Sequence, residues 1–235
     1  MNYALLFALH REAAPFLRRH RDQIVSEAWP AKPPCDAYRL RFKSRSVTVL
    51  VTGMGFESAA SAIEWVLMTH ECDLVIVAGF AGALDPELRV GDVVVASEVV
   101  ETDGETWRTV LPAELGDRGC GRILTSRNLI GSARDKLAAR KKSRAVAVDM
   151  ESAAITEACQ GARVPCAVIR VISDSADTGL SPHLAALLSD GTISPGRVLA
   201  AWLRRPLMAA EFWRLARATS LAAKNLADAL DALIA

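Results

Sequence analysis

Apolar and polar positions fall into blocks along this chain. Six runs are apolar and rich in β-branched residues: Tyr3–Phe7, Ser46–Val51, Leu74–Ala78, Asp92–Val100, Ala145–Val148 and Cys166–Ser173. Short unbroken runs of this kind suit strands covered on both faces, because a half-exposed strand alternates with a period of two. Between them lie stretches with helical spacing. Ser58–His70 follows a glycine turn, Gly131–Lys142 is charged on one side, and Ser152–Gln160 opens after a carboxylate, with Gly161 as the expected terminator. Tyr38–Phe42 and Ser46–Val51 read as a hairpin entered through the loop Pro30–Pro34. Alternating strand and helix predicts an α/β fold: one domain built on a central, mostly parallel or mixed twisted sheet flanked by helices. The main domain is expected over residues 1–196, with a helical extension over 197–235 packed on it.

Composition narrows the class. At 235 residues and 51% hydrophobic content the chain can bury a full core, which excludes intrinsic disorder. Lys and Arg number 28 against 27 Asp and Glu, so no basic face is expected for nucleic acid. The longest apolar stretches, such as Leu74–Ala81, fall far short of the ~20 residues that cross a bilayer. The start, MNYALLFALHREAAPF, reads as a first strand rather than a signal peptide. Five scattered cysteines (Cys35, Cys72, Cys120, Cys159, Cys166) form no CxxC pair. They suggest a reducing cytoplasm, without zinc or a disulfide framework.

Candidate chemistry lies at the strand ends. Gly53-Met54-Gly55 follows a strand and precedes a helix, where backbone can approach a ligand and free N–H groups point outward. Ser58 replaces the third glycine of a dinucleotide fingerprint, which disfavours an NAD-dependent oxidoreductase. Gly79-Phe80-Ala81-Gly82 ends the third run at the edge where open α/β sheets bind ligands. Asp149 and Glu151 flank a strand-to-helix junction. One acid there is explained by the helix dipole; a second could accept hydrogen bonds from a sugar's vicinal hydroxyls. Ser173 and Asp174 close the last run, where an acid in a partly apolar pocket can serve as a general acid. Glu12 begins the segment after the first strand, and taken alone reads as a solvated helix-start residue. His10 and His183 are the histidines near these segments, whereas His20 and His70 read as ordinary helix-surface residues.

TGMGFESA, VAGFAGALDPELRVGDVVVASE, AVAVDMESAAI and VPCAVIRVISDSAD, in that order, resemble the purine nucleoside phosphorylase and methylthioadenosine/S-adenosylhomocysteine nucleosidase superfamily from residue 3 to residue 178. The stretch from Ser189 to Leu230 is similar to the hopanoid-associated phosphorylase branch, which removes adenine from adenosylhopane. The resemblance implies that Asp174 protonates purine N7, Glu151 binds the ribose hydroxyls and Met150 packs on the sugar. It also implies that Asn128, Leu129 and Ile130 line the base pocket and that Glu12 activates water. Gly55 and Phe80–Gly82 fall where ribose and nucleophile sit, and Ser173, delivered with Asp174 at the strand end, is expected to bind substrate. No cofactor is implied, and phosphate is the candidate co-substrate. Val77 stands where phosphorylases of the trimeric and hexameric branch carry an arginine, and Phe80 replaces a small serine, so the acceptor stays open between water and phosphate.

The leading expectation is therefore release of adenine from adenosylhopane. A hydrolytic methylthioadenosine/S-adenosylhomocysteine nucleosidase is the alternative, and a non-catalytic nucleoside- or lipid-binding module the remote one. The resemblance further suggests a homodimer. Arginines interleaved with Trp202, Leu203, Phe212 and Trp213 suggest peripheral membrane contact through residues 197–217.

Overall fold

The computed structural model describes residues 1–116, 119–178 and 207–234, with side chains in the last segment from residue 216 onward. In chain order the elements are β1 (Asn2–Phe7), α1 (His10–Arg19), β2 (Ile24–Val25), β3 (Asp36–Arg41), β4 (Ser46–Val51), α2 (Phe56–Thr69) and β5 (Leu74–Ala83). There follow β6 (Val93–Glu101), β7 (Thr106–Arg108), β8 (Gly119–Thr125), α3 (Ala133–Ser143), β9 (Ala147–Asp149), α4 (Ser152–Ala162), β10 (Cys166–Asp174) and α5 (Leu207–Ile234).

All ten strands join one sheet. Strand β5 pairs with β10 as well as β9, so β5, β10, β6, β8 and β9 close into a ring, while β1, β4, β3 and β2 continue outward from β5. The sheet is mixed. The pairs β1–β4, β1–β5, β5–β10, β6–β8 and β8–β9 are parallel, and β6–β10, β2–β3, β3–β4, β5–β9 and β6–β7 antiparallel. Within the ring, β9 runs against β5 and β6 against β10, and the other three pairings are parallel.

One apolar layer packs α2 and α4 onto the sheet through Ile63, Trp65, Val66, Ile155 and Cys159. The opposite layer packs α1 and α5 through Ala13, Phe16, Leu226, Leu230 and Leu233. Strands β5 and β10 lie between the layers, which explains why both are apolar along most of their length, with Arg170 the charged exception inside β10.

Three local expectations are corrected. Helix α4 runs through Gly161 and ends at Ala162, with Arg163 taking the left-handed cap at φ 58°. His20 is not a helix-surface residue: it sits 4.7 Å from the Phe16 ring and 5.1 Å from the Phe42 ring, and contacts Asp231 at 2.8 Å. His70 likewise packs 4.9 Å from Trp65 and beside Trp29. Both histidines stand where a helix ends and the chain turns back over the sheet, so both face neighbours. Of the proposed membrane segment, residues 197–206 lie outside the described residues, as do the side chains of 207–215. No helix among the described residues is long and apolar enough to cross a membrane.

Candidate active site

The parallel register of β5 with β10 sets Gly79 beside Arg170 and Gly82 beside Asp174. Around these two pairings the sequence-predicted residues gather in two adjoining clusters.

The first surrounds Arg170, whose side chain is 1% exposed. A guanidinium is never neutral in a protein, so its burial demands anionic partners. Its Nη2 donates to Asp149 Oδ2 at 2.5 Å and to Ser152 Oγ at 2.9 Å, and lies 3.9 Å from Glu151 Oε2. Its Nε has no hydrogen-bond partner among the described residues. Gly79 leaves room for this arrangement. A Cβ there would fall on Arg170 Nη1 and within 3.0 Å of Glu12 Oε1.

Glu12 enters the same space from α1. Its Oε2 accepts from the Leu9 amide at 2.8 Å, closing the first turn of the helix, and its Oε1 accepts from the Phe80 amide at 2.8 Å. It is buried, not solvated. Burial pushes its carboxyl up to about 7, against the lowering effect of the Phe80 amide and Arg170, while Glu151 raises it further. Glu151 is also raised, by burial first; Arg170 opposes that and Asp149 adds to it.

The two acids at the strand-to-helix junction divide their work. Asp149 is held by Thr125 Oγ1 at 2.7 Å and by the Ser152 hydroxyl, and its Oδ1 faces the Ser152 amide at 3.4 Å, so it serves the start of α4. Glu151 instead reaches across the site, where its Oε1 accepts from the Gly55 amide at 2.9 Å. Gly55 occupies φ 95°, a conformation costly for other residues, and this aims its N–H at the carboxylate. Met150 is half-buried between the two acids.

The second cluster surrounds Asp174. Ser173 Oγ lies 3.3 Å from the Ala81 carbonyl and donates to Asp174 Oδ1 at 2.7 Å. Asp174 Oδ2 accepts from Lys136 Nζ, a buried ammonium on α3. The pocket expected to be partly apolar thus contains a cation, because α3 turns one basic side chain inward. A Cβ on Gly82 would sit 3.1 Å from Asp174 Oδ2 and 3.5 Å from Val148. Of the loop expected to line a base, Ile130 packs against the cluster of Leu84, Leu124 and Val148, Asn128 is exposed with its backbone bonded to Ser126, and Leu129 is 39% exposed. Gly79 and Gly82 are three residues apart on β5, about 10 Å at strand rise, so the clusters form one continuous edge. His10 faces outward and pairs with Asp36, and His183 lies outside the described residues.

Sequence reasoning left two residues without a role. Arg170 had a signal, a charged residue inside an otherwise apolar buried run. Lys136 had none, since it is one of six charged residues in α3.

Comparison with known proteins agrees with this architecture. The chain is 28% identical to the 5′-methylthioadenosine/S-adenosylhomocysteine nucleosidase of Anoxybacillus flavithermus over 204 aligned residues, covering 75% of this chain and 86% of that one. It is 29% identical to the nucleosidase of that name from Baumannia cicadellinicola, covering 66% and 85% of the two chains. Among solved structures, the Helicobacter pylori nucleosidase superposes with a TM-score of 0.77 at 18% identity, over 100% of this chain and 97% of that one. Futalosine hydrolase from the same organism gives 0.76 at 18% identity with the same coverage. Likenesses at that identity speak for the fold alone. A model of the Phosphorylase superfamily matches residues 2–114 and 114–192, a span that holds both carboxylate clusters, and on that match the chain belongs to the superfamily.

Proposed function

We propose that this chain hydrolyses the N-glycosidic bond of a 5′-substituted adenine nucleoside of the methylthioadenosine or S-adenosylhomocysteine kind. The observation that carries the reading is the buried trio Glu12, Asp149 and Glu151 around the single cation Arg170. Arg170 is already paired with Asp149 and lies beside Glu151, so it offers no free positive charge to a phosphate dianion, whereas a neutral water needs none. Val77, at the place of the phosphorylase arginine, is itself buried in the core. The relatives described above are named as nucleosidases, which supports this reading over phosphorolysis of adenosylhopane.

In this mechanism the C1′–N9 bond breaks through a cationic ribosyl group. Asp174 gives a proton to N7, which turns the departing adenine from an anion into a neutral base. Glu151 accepts hydrogen bonds from the ribose hydroxyls, and its charge favours the developing cation over the neutral ground state. Glu12 takes a proton from the attacking water. A base with its pKa near the working pH gives the best compromise between ionisation and driving force.

The test is release of free base from methylthioadenosine, S-adenosylhomocysteine, adenosylhopane, futalosine and inosine, each with and without phosphate. Phosphate-independent release of adenine from the first two is expected. Strict phosphate dependence would overturn the assignment of water. Adenosylhopane stays in the panel because the stretch from Ser189 to Leu230 is similar to the hopanoid-associated branch. Liposome co-sedimentation tests peripheral membrane contact through residues 197–217, and sedimentation equilibrium tests the homodimer.

A further inference from the structure

Lys136 is 1% exposed, and its ammonium donates to three acceptors: Asp174 Oδ2, the Ser175 carbonyl at 2.7 Å and the Thr178 carbonyl at 3.2 Å. An ammonium has three N–H groups, so its hydrogen-bonding capacity is fully used. All three acceptors belong to the end of β10 and the turn after it, and none to its own helix or to a neighbouring helix. The burial therefore ties α3 to the acid. An aspartate carboxyl ordinarily turns through a broad torsion. Here one oxygen is held by Lys136 and the other by Ser173 Oγ at 2.7 Å, so the plane of the group is fixed from both sides. Helix α3 also begins directly after the Asn128–Ile130 loop, with Ser132 capping its first turn by accepting from the Asp135 amide at 3.1 Å.

We propose that Lys136 is a positioning residue for the leaving-group acid. It sets the plane of the Asp174 carboxyl so that Oδ1 faces the purine, and it keeps that oxygen in register with the loop α3 follows. The inference rests on the reading of Asp174 as the proton donor given above.

The test is a double-mutant cycle on methylthioadenosine hydrolysis with Lys136→Met, Asp174→Asn and both together. A parallel assay uses 4-nitrophenyl β-D-ribofuranoside, whose leaving group departs without a proton. Lys136→Met is expected to lower kcat for the nucleoside by about 10–100-fold with KM within about threefold, a share of what general acid catalysis supplies. On the Asp174→Asn background it should cost no more than about twofold, because residues acting as a unit are not additive. Turnover of the nitrophenyl riboside should change by less than about threefold. Equal losses on both substrates, or full additivity with Asp174→Asn, would give Lys136 a merely structural role and overturn the proposal. Lys136→Gln repeats the measurement with a polar neutral side chain, and failure of both variants to fold would overturn it in the same way. An Asp174→Asn enzyme with full activity would instead sink the reading of Asp174 itself, whereas an inactive Asp174→Asn beside a fully active Lys136→Met would sink only this inference.

Discussion

At the scale of single residues, Glu12 carries the sharpest conflict between stability and chemistry. Burial raises its carboxyl to about 7 from an ordinary 4.5. The folded protein then binds a proton that the unfolded chain releases, and stability falls as pH rises from 4.5 through 7. Glu12→Gln removes that ionisation. From pH 5 to pH 8, urea melts should shift in favour of the variant by about 2–3 kcal/mol, at ~1.4 kcal/mol per pKa unit. A fixed offset of about 1 kcal/mol against the variant is expected at both pH values, for the amide hydrogen bond that glutamine cannot accept. A stability gap that does not move with pH would refute the buried ionisation. The same substitution should lower kcat by about 10²–10⁴, and in the parent kcat/KM should rise with pH through about 7 as the base ionises. Asp174→Asn should keep the fold and lose turnover by a similar factor, measured as adenine release. Of these residues the sequence shows the acids and their strand-end positions, because carboxylates at such ends stand out against apolar runs. It hides how they are joined. Arg170 and Asp149 are 21 positions apart and meet because β5 pairs with both β10 and β9, and Lys136 looks like its exposed neighbours.

At the scale of elements, the β5–β10 pair acts as the rail on which both clusters are set. Gly79 and Arg170 are register partners, and the glycine lets the guanidinium and Glu12 Oε1 converge over the strand. Gly79→Ala should push one of them aside. Overpacking of this kind costs about 1–3 kcal/mol, so a drop in thermal midpoint of several degrees is expected together with loss of activity. Retained activity with unchanged stability would mean that the close approach has no importance. The long apolar strands were readable because both of their faces are covered. Strands β7 and β8 were not, since Thr106–Arg108 is three residues long and Gly119–Thr125 opens with glycines and a cysteine. The end of α4 was misplaced for a related reason. Gly161 is a sound terminator in the abstract, but the helix runs two residues past Gln160, to Ala162, because Arg163 takes the left-handed cap conformation that Gly161 was expected to supply.

At the scale of the whole molecule, the helix that presents Glu12 leans on one that carries none of the residues assigned to the site. Helix α5 packs on the same apolar layer as Ala13 and Phe16 of α1, and Arg19 and His20 at the end of α1 both contact Asp231 on α5. Since α1 carries Glu12 into the site, α5 is the support from which the base is presented. Leu230 is fully buried in that layer. Leu230→Ala should cost about 2–5 kcal/mol from lost transfer energy and the cavity left behind. In a chain of this size that corresponds to a fall of roughly 5–15 °C in thermal midpoint. Because Leu230 belongs to the apolar layer shared by α1, α5 and the sheet rather than to the site, kcat per folded molecule at 25 °C should stay within about twofold of the parent. A loss of kcat well beyond twofold in the folded variant would mean that α5 shapes the reaction directly, whereas a melting temperature that hardly moves would mean that the layer between α1 and α5 contributes little to holding the base in place.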